Sequence, residues 1–260
     1  MNTNFLPLIL EAKKNKLEIL KKNREGIASL LKSAPKVRSL KEALLREGKI
    51  SVIAELKQAS PSAGVIRKDF SPVDLAEAFS LAGAQAVSVI TEEDFFLGKK
   101  KYIEQVRAAV NIPVLRKDFI LDEVQILESR ALGADAVLLI MKIIDEQKYQ
   151  QLYSAAKDLG MDVVTEVNTE KELRKVLKFK PDIIGVNNRN LQTMAVDLER
   201  TKKLAPFIPS GIVRIAMSGI SSLKDVLLCK GLGLNAVLIG ETLMRAEHPG
   251  AKLKELIADA

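Results

Sequence analysis

Eight short apolar runs, each followed by a longer amphipathic segment, with no break in composition between them, predict an α/β protein built as a single (β/α)8 TIM barrel with a helical N-terminal extension. The length of 260 residues agrees, because one such barrel takes roughly 250. Near-continuous apolar strands imply burial on both faces, hence a parallel sheet with helices outside.

Residues 1–50 read as helical. Leu6, Ile9, Leu10, Leu17 and Leu20 recur at helical spacing, with Lys13, Lys14, Lys16, Lys21 and Lys22 between them. Ala34-Pro35 interrupts, since proline disfavours helix in the residue before it. A second helix is expected from Leu40 to Glu47, stopped by Gly48. The expected strands are Ser51–Leu56, Ala86–Ile90, Pro113–Leu115, Ala136–Ile140, Asp162–Thr165, Ile183–Val186, Ile212–Ala216 and Ala236–Ile239. Gly83, Gly133, Gly160 and Gly233 each lie just ahead of a strand, where a left-handed residue ends a helix. An open doubly wound sheet would need a glycine-rich loop after its first strand. Here Lys57-Gln58-Ala59-Ser60-Pro61-Ser62 follows instead.

Charge is unevenly placed. The chain has 40 Lys+Arg against 33 Asp+Glu, a formal net charge of +7. Residues 1–50 hold 12 basic and 5 acidic residues, which leaves 28 of each in residues 51–260. That basic stretch is expected to be a solvated helix face rather than a nucleic-acid surface. A lone Cys excludes an internal disulfide framework and suits a reducing, cytoplasmic setting. With one His as well, no metal site is expected. No apolar stretch approaches the roughly 20 residues that span a bilayer, and no export signal is apparent, so no membrane partner is expected.

Active sites of such barrels lie at the C-terminal ends of the strands. The polar residues ending the runs are Glu55 and Lys57, Lys117, Glu166, Asn187 and Arg189, Ser218 and Gly219, then Gly240 and Glu241. A strand period of two puts Glu55 and Lys57 on one face. Converging charges of both signs on buried strand ends are costly unless paired or used. Ser218-Gly219 and Gly240-Glu241 follow the seventh and eighth strands, where barrels commonly hold a phosphate on backbone N–H groups. Cys229 falls in an apolar helical stretch and His248 beside Pro249-Gly250, so neither is at a strand end. Acid–base chemistry therefore falls to Lys and Glu.

These residues resemble one family. Val52-Ile53-Ala54-Glu55-Leu56-Lys57-Gln58-Ala59-Ser60-Pro61-Ser62 is similar to the first-strand signature of indole-3-glycerol phosphate synthase. Ser88 to Glu92 with Phe95 to Gly98, Pro113 to Phe119, Gly185 to Leu191, Ser218 to Ile220 and Ile239 to Glu241 continue the match over nearly the whole chain. The resemblance implies a cofactor-free carboxy-lyase of tryptophan synthesis acting on 1-(2-carboxyphenylamino)-1-deoxyribulose 5-phosphate. It implies that Lys117 is the general acid, Glu166 the base and Lys57 a second acid, with Glu55 and Asn187 orienting the reacting groups. Ser60, Phe119 and Arg189 would face the anthranilate end. Ser218, Gly219, Gly240 and Glu241 would hold the phosphate. In that family the extension lies over the barrel mouth, where its lysines would draw in a dianionic substrate. Met217 stands where the family often has Glu; Gln58, Thr165 and Asn168 also depart from it.

Alternatives are phosphoribosylanthranilate isomerase or another phosphate-binding barrel enzyme. The isomerase would by resemblance use a Cys and an Asp at strand ends. A Schiff-base aldolase would offer a lysine on the sixth strand, where Ile183 to Asn187 has none. The expectation is one barrel domain over residues 1–260, not fused to a neighbouring pathway enzyme. A monomer or weak homo-oligomer is expected, with a small anionic sugar phosphate as its partner.

Overall fold

The computed structural model describes residues 5–190 and 193–258, so Leu191 of the sixth-strand motif lies outside the described residues. Eight parallel strands form the barrel: β1 Ser51–Leu56, β2 Ala86–Ile90, β3 Val114–Lys117, β4 Ala136–Ile140, β5 Asp162–Val167, β6 Ile183–Asn187, β7 Val213–Met217 and β8 Ala236–Ile239. The sheet closes where β1 pairs β8 on one side and β2 on the other, with Ala54 opposite Ile239 and Glu55 opposite Ser88. Strands β3, β5, β6 and β7 run one or two residues beyond their expected ends, and β3 and β7 begin one residue later than expected. The ladder continues through Lys117, Glu166 and Asn187, because the backbone pairs whatever the side chain. Glu55, Lys117, Glu166 and Asn187 are thus part of the rigid sheet, whereas Lys57, Arg189 and the glycine turns lie just past the strand ends.

Alternation along each strand sorts side chains between two cores. Ile53, Ala86, Leu115, Leu138, Val164, Ile183, Ile215 and Leu238 fill the barrel interior. Val52, Ala54, Val87, Val114, Val137, Val163, Ile184, Ala216 and Val237 meet the surrounding helices. Those helices are α4 Pro72–Leu81, α5 Lys101–Ala109, α6 Glu123–Ala131, α7 Glu146–Asp158, α8 Glu170–Leu177, α9 Glu199–Leu204, α10 Leu223–Gly231, α11 Glu241–Arg245 and α12 Pro249–Leu256. Asp122, Thr169 and Ser222 start α6, α8 and α10 with capping boxes. Gly83, Gly133, Gly160 and Gly233 take the expected positive φ just past the helix ends.

The extension divides in three. Helix α1, Phe5–Lys22, lays Leu6 and Ile9 against Phe95, Phe96 and Phe119 at the barrel mouth. Its Leu17 joins Ile27 of α2, Arg24–Leu30, against Val124 of α6. Each such buried aliphatic side chain contributes about 2 kcal/mol. Helix α3, Leu40–Leu44, plugs the opposite end, with Leu40 and Leu44 fully buried among Ile53, Ala86, Ile183 and Val213. Only the first helix therefore covers the mouth. Helix α3 ends at Leu44 instead of Glu47, because Leu45 turns extended; Gly48, at φ 67°, belongs to the turn before β1. At the floor, Asp162 accepts from Ser39 Oγ and from the Lys41 N–H, and Asp135 accepts from the Arg38 N–H. No helix among the described residues is long and apolar enough to cross a membrane.

Candidate active site

The strand ends build one cavity, open at its mouth. Glu55, Lys57, Ser60, Lys117, Phe119, Glu166, Asn187, Arg189 and Ser218 all line it. A second, smaller cavity adjoins it, sharing Glu55, Lys57, Arg189 and Ser218 and adding Gly219, Gly240 and Glu241. All twelve residues expected from the sequence thus meet in one continuous space.

Its centre is an ion-paired triad. The Lys57 ammonium lies 3.2 Å from Glu55 Oε1, and the Lys117 ammonium lies 3.7 Å from Oε2. The fold thus places a carboxylate between the two lysines. Burial pushes the Glu55 carboxyl up, but Lys57, Lys117 and Arg189 outweigh it and hold it below the usual range. Glu55 is therefore the fixed anion that keeps both ammonium groups at the cavity. Gly240 makes this possible: a Cβ there would meet Glu55 Oε1.

Glu166 differs. It is 1% exposed, and burial raises its carboxyl, with Lys117 and Asn187 opposing too weakly to reverse the shift. Asn187 Nδ2 donates to Glu166 Oε1 at 2.9 Å, while Oε2 has no hydrogen-bond partner. One oxygen is anchored and the other is free, in a carboxylate poised to take a proton. The Arg189 N–H donates to Asn187 Oδ1 at 3.0 Å, which fixes the amide in that sense.

Two turns close the smaller cavity. Ser218 sits at φ 67°, an uncommon left-handed conformation for a residue with a Cβ, and Gly219 follows at φ 82°. Gly240 precedes Glu241 at the start of α11. Arg189 reaches between the cavities: its guanidinium lies 3.2 Å from Glu241 Oε2 and donates to the Met194 carbonyl at 3.1 Å. It lines both cavities, and it also donates to Ser62 Oγ at 3.5 Å. Arg67 donates to the carbonyls of Met244 and Ala246 and of Asp69, tying the loop after β1 to α11.

The floor and one wall are apolar. Ile90, Leu138, Ile140, Met217 and Leu238 line the cavity, and Phe96 packs on Phe119 at 6.3 Å between ring centroids. Met217 projects over Gly185, where any Cβ would collide with its sulfur. The sequence reading missed Phe96 and Glu92. The Glu92 carboxylate accepts from the N–H groups of Asp94, Phe95 and Phe96, and so shapes the loop that presents Phe96. The signal was present in its position, since Glu92 lies two residues past the Ala86–Ile90 run, as Lys117 does past Leu115.

Of the lysines of α1, Lys13 is buried, Lys16 and Lys21 are part-exposed within ion pairs, and Lys14 is exposed. Lys13 lies 2.5 Å from Asp118, Lys16 pairs with Glu93 and Asp94, and Lys21 with Glu18 and Asp122. Cys229 is buried in α10, its thiol pushed up to about 12 by burial, and His248 is exposed beside α12. Neither reaches the cavity, which removes the cysteine that the isomerase alternative needs.

A barrel whose strand ends combine lysines, a buried carboxylate and adjoining glycine turns belongs to the acid–base enzymes that act on phosphorylated substrates. The family model described as indole-3-glycerol phosphate synthase matches residues 6–256, and the chain belongs to that family. The indole-3-glycerol phosphate synthase of Alkaliphilus metalliredigens (strain QYMF) is 42% identical over 254 residues, 97% of each chain. That of Geobacillus kaustophilus (strain HTA426) is 45% identical over 236 residues, 88% of this chain and 92% of its own. Among solved structures, 3-hexulose-6-phosphate synthase from Salmonella typhimurium has a TM-score of 0.66 at 16% identity over 80% of this chain and 97% of that one, a likeness of fold alone.

Proposed function

We propose that this chain carries out its family's reaction, closing the indole ring of 1-(2-carboxyphenylamino)-1-deoxyribulose 5-phosphate with loss of carbon dioxide and water. The observation that carries the reading is the Lys57–Glu55–Lys117 triad facing a raised, half-anchored Glu166 in one cavity. The phosphate would rest on the N–H groups of the Ser218-Gly219 and Gly240-Glu241 turns, with Arg189 nearby. The aromatic ring would lie on the apolar floor between Phe96 and Phe119, with Ser60 beside it.

Lys117 donates a proton to the sugar carbonyl oxygen as the carboxyl-bearing ring carbon attacks the carbonyl carbon. The new C–C bond interrupts aromaticity. Departure of carbon dioxide leaves its electron pair in the ring and restores it. The remaining hydroxyl leaves as water, protonated by a lysine, while Glu166 takes the proton from the adjacent carbon and the double bond forms. Lys57 serves as the second acid. Glu55 holds both lysines charged and in place, and Asn187 aims Glu166. The electron sink is the substrate's own aromatic amine, so no cofactor enters the scheme. Residues 1–260 are read as one barrel domain acting in the cytoplasm as a monomer or weak homo-oligomer.

The test is to incubate the protein with the carboxyphenylamino sugar phosphate and follow indole fluorescence. Absence of product from folded protein overturns the reading. Lys117→Ala and Glu166→Gln should each lower turnover by roughly 10²- to 10⁴-fold, the usual worth of a general acid or base. Near-normal turnover in either would remove that residue from its role. Borohydride with the same substrate should trap no adduct.

A further inference from the structure

Beyond Val167 and Val186 the β5–β6 ladder stops. The carbonyls of Asn187 and Arg189, at the strand end that carries the active-site residues, then lack backbone partners in β5. Asn168 supplies them instead. Its Nδ2 donates to the Asn187 carbonyl at 2.9 Å and to the Arg189 carbonyl at 3.0 Å. Arg200, from α9, donates to the same Asn187 carbonyl at 2.9 Å. Arg200 has no carboxylate within salt-bridge distance among the described residues, and this carbonyl is the one hydrogen-bond acceptor its guanidinium is given. A cation spent on a single main-chain oxygen is unusual unless that oxygen must be held.

We infer that Asn168 and Arg200 are positioning residues that continue the barrel ladder in side-chain form and so set the aim of Asn187, and through it of Glu166. The chain of contacts is continuous. Arg200 and Asn168 hold the Asn187 main chain; the Arg189 N–H holds Asn187 Oδ1; Asn187 Nδ2 holds Glu166 Oε1. Asn168 also fixes the Arg189 backbone, from which the guanidinium reaches Glu241. One side chain thus ties the base to the anion anchor. Its own backbone is fixed in turn, since the Asn168 N–H donates to Glu172 Oε2 at 2.6 Å within the start of α8. This inference rests on Glu166 being the base.

The experiment compares Arg200→Met, Arg200→Lys and Asn168→Leu with the parent chain. Displacing a catalytic group by a fraction of an ångström to 1 Å costs about 10- to 100-fold in rate. Arg200→Met should lower kcat in that range while KM changes by less than about twofold, the pattern of a contact that serves the transition state. The acid limb of the pH profile should move to higher pH, because Glu166 loses part of the Asn187 bond that opposes its burial. The other groups facing Glu166 are Lys117 on β3, Glu55 on β1 and Glu172 on α8, and none is altered. Arg200→Lys, which keeps one donor, should restore much of kcat. Asn168→Leu should show the same kcat loss together with a raised KM, since Arg189 is released as well. If the variants lower only the thermal midpoint, with kcat and the acid limb unchanged, Asn168 and Arg200 are structural and the inference fails. Glu166→Gln separates the two readings: retained turnover there removes the base itself, whereas lost turnover beside unaffected Arg200→Met removes only the positioning role.

Discussion

Lys13→Met tests how α1 is fastened to the barrel. Lys13 is 7% exposed at its side chain and Asp118 is 0% exposed, with 2.5 Å between them. Asp118 also accepts from Thr91 Oγ1 at 2.7 Å, from the Phe119 N–H at 2.8 Å and from Arg116 at 3.2 Å. Arg116 is shared, because it lies 2.8 Å from Glu128 as well. Removing Lys13 leaves Arg116 facing two carboxylates. Breaking a buried pair by deleting one partner costs about 3–5 kcal/mol, and the three surviving contacts place this case near 3 kcal/mol. Urea unfolding at neutral pH would read it as a shift of midpoint. Burial pushes the Asp118 carboxyl up, yet Lys13 and Arg116 overcome that and hold it well below the ordinary value. A depressed carboxyl stabilises the fold above its unfolded pKa and ceases to do so as pH falls through its folded one. The parent chain keeps this contribution into acid. In the variant Asp118 can take up a proton and relieve its isolation, so the gap between the two proteins should narrow as pH falls below about 4. A loss under about 1 kcal/mol at pH 7, the size of an exposed pair, would refute the reasoning that Lys13 is a buried anchor.

Four further outcomes follow from the strand-end carboxylates, a glycine turn and the buried thiol. Glu166 is raised, so as a base it must lose activity as pH falls through a value above that of an ordinary glutamate; the acid limb of kcat/KM should lie there and vanish in a Glu166→Gln background. The raised carboxyl also burdens the folded state once ionised, so Glu166→Gln should be more stable than the parent to urea at pH 7 and equal to it below about pH 4. Gly240→Ala drives a methyl into Glu55 Oε1 and should displace the carboxylate from both lysines, lowering kcat/KM by roughly 100-fold in a steady-state indole assay. Cys229, with its thiol pushed up to about 12 and its side chain buried in α10, should resist thiol reagents at pH 8 in the native protein and react at once in denaturant.

Much of the site could be read without coordinates, because strand periodicity does most of the placing. Once the apolar runs are recognised as parallel strands, the polar residue that ends each one must face the mouth. That logic alone gathered Glu55, Lys57, Lys117, Glu166 and Asn187, and the cavity contains all of them. It failed at the lengths of β3, β5 and β6, since polar side chains end an apolar run without ending a backbone ladder. It also failed for the extension, where helical spacing says that a face is buried but not against what. Leu6 and Leu40 have the same pattern, yet one lies at the mouth and the other at the floor.

Read by itself, the sequence determined the barrel, the residue types that remain for acid–base work, and the glycine turns after β7 and β8, because each follows from local periodicity and from what a single Cys and His exclude. The tertiary structure decided what lies between those residues. It put the Glu55 carboxylate between two lysines that no spacing relates, raised Glu166 by burial, turned Arg189 toward Glu241, and buried Lys13 of the basic extension against Asp118. These are effects of distance and desolvation between strands far apart in sequence, and such quantities exist only once the barrel has closed.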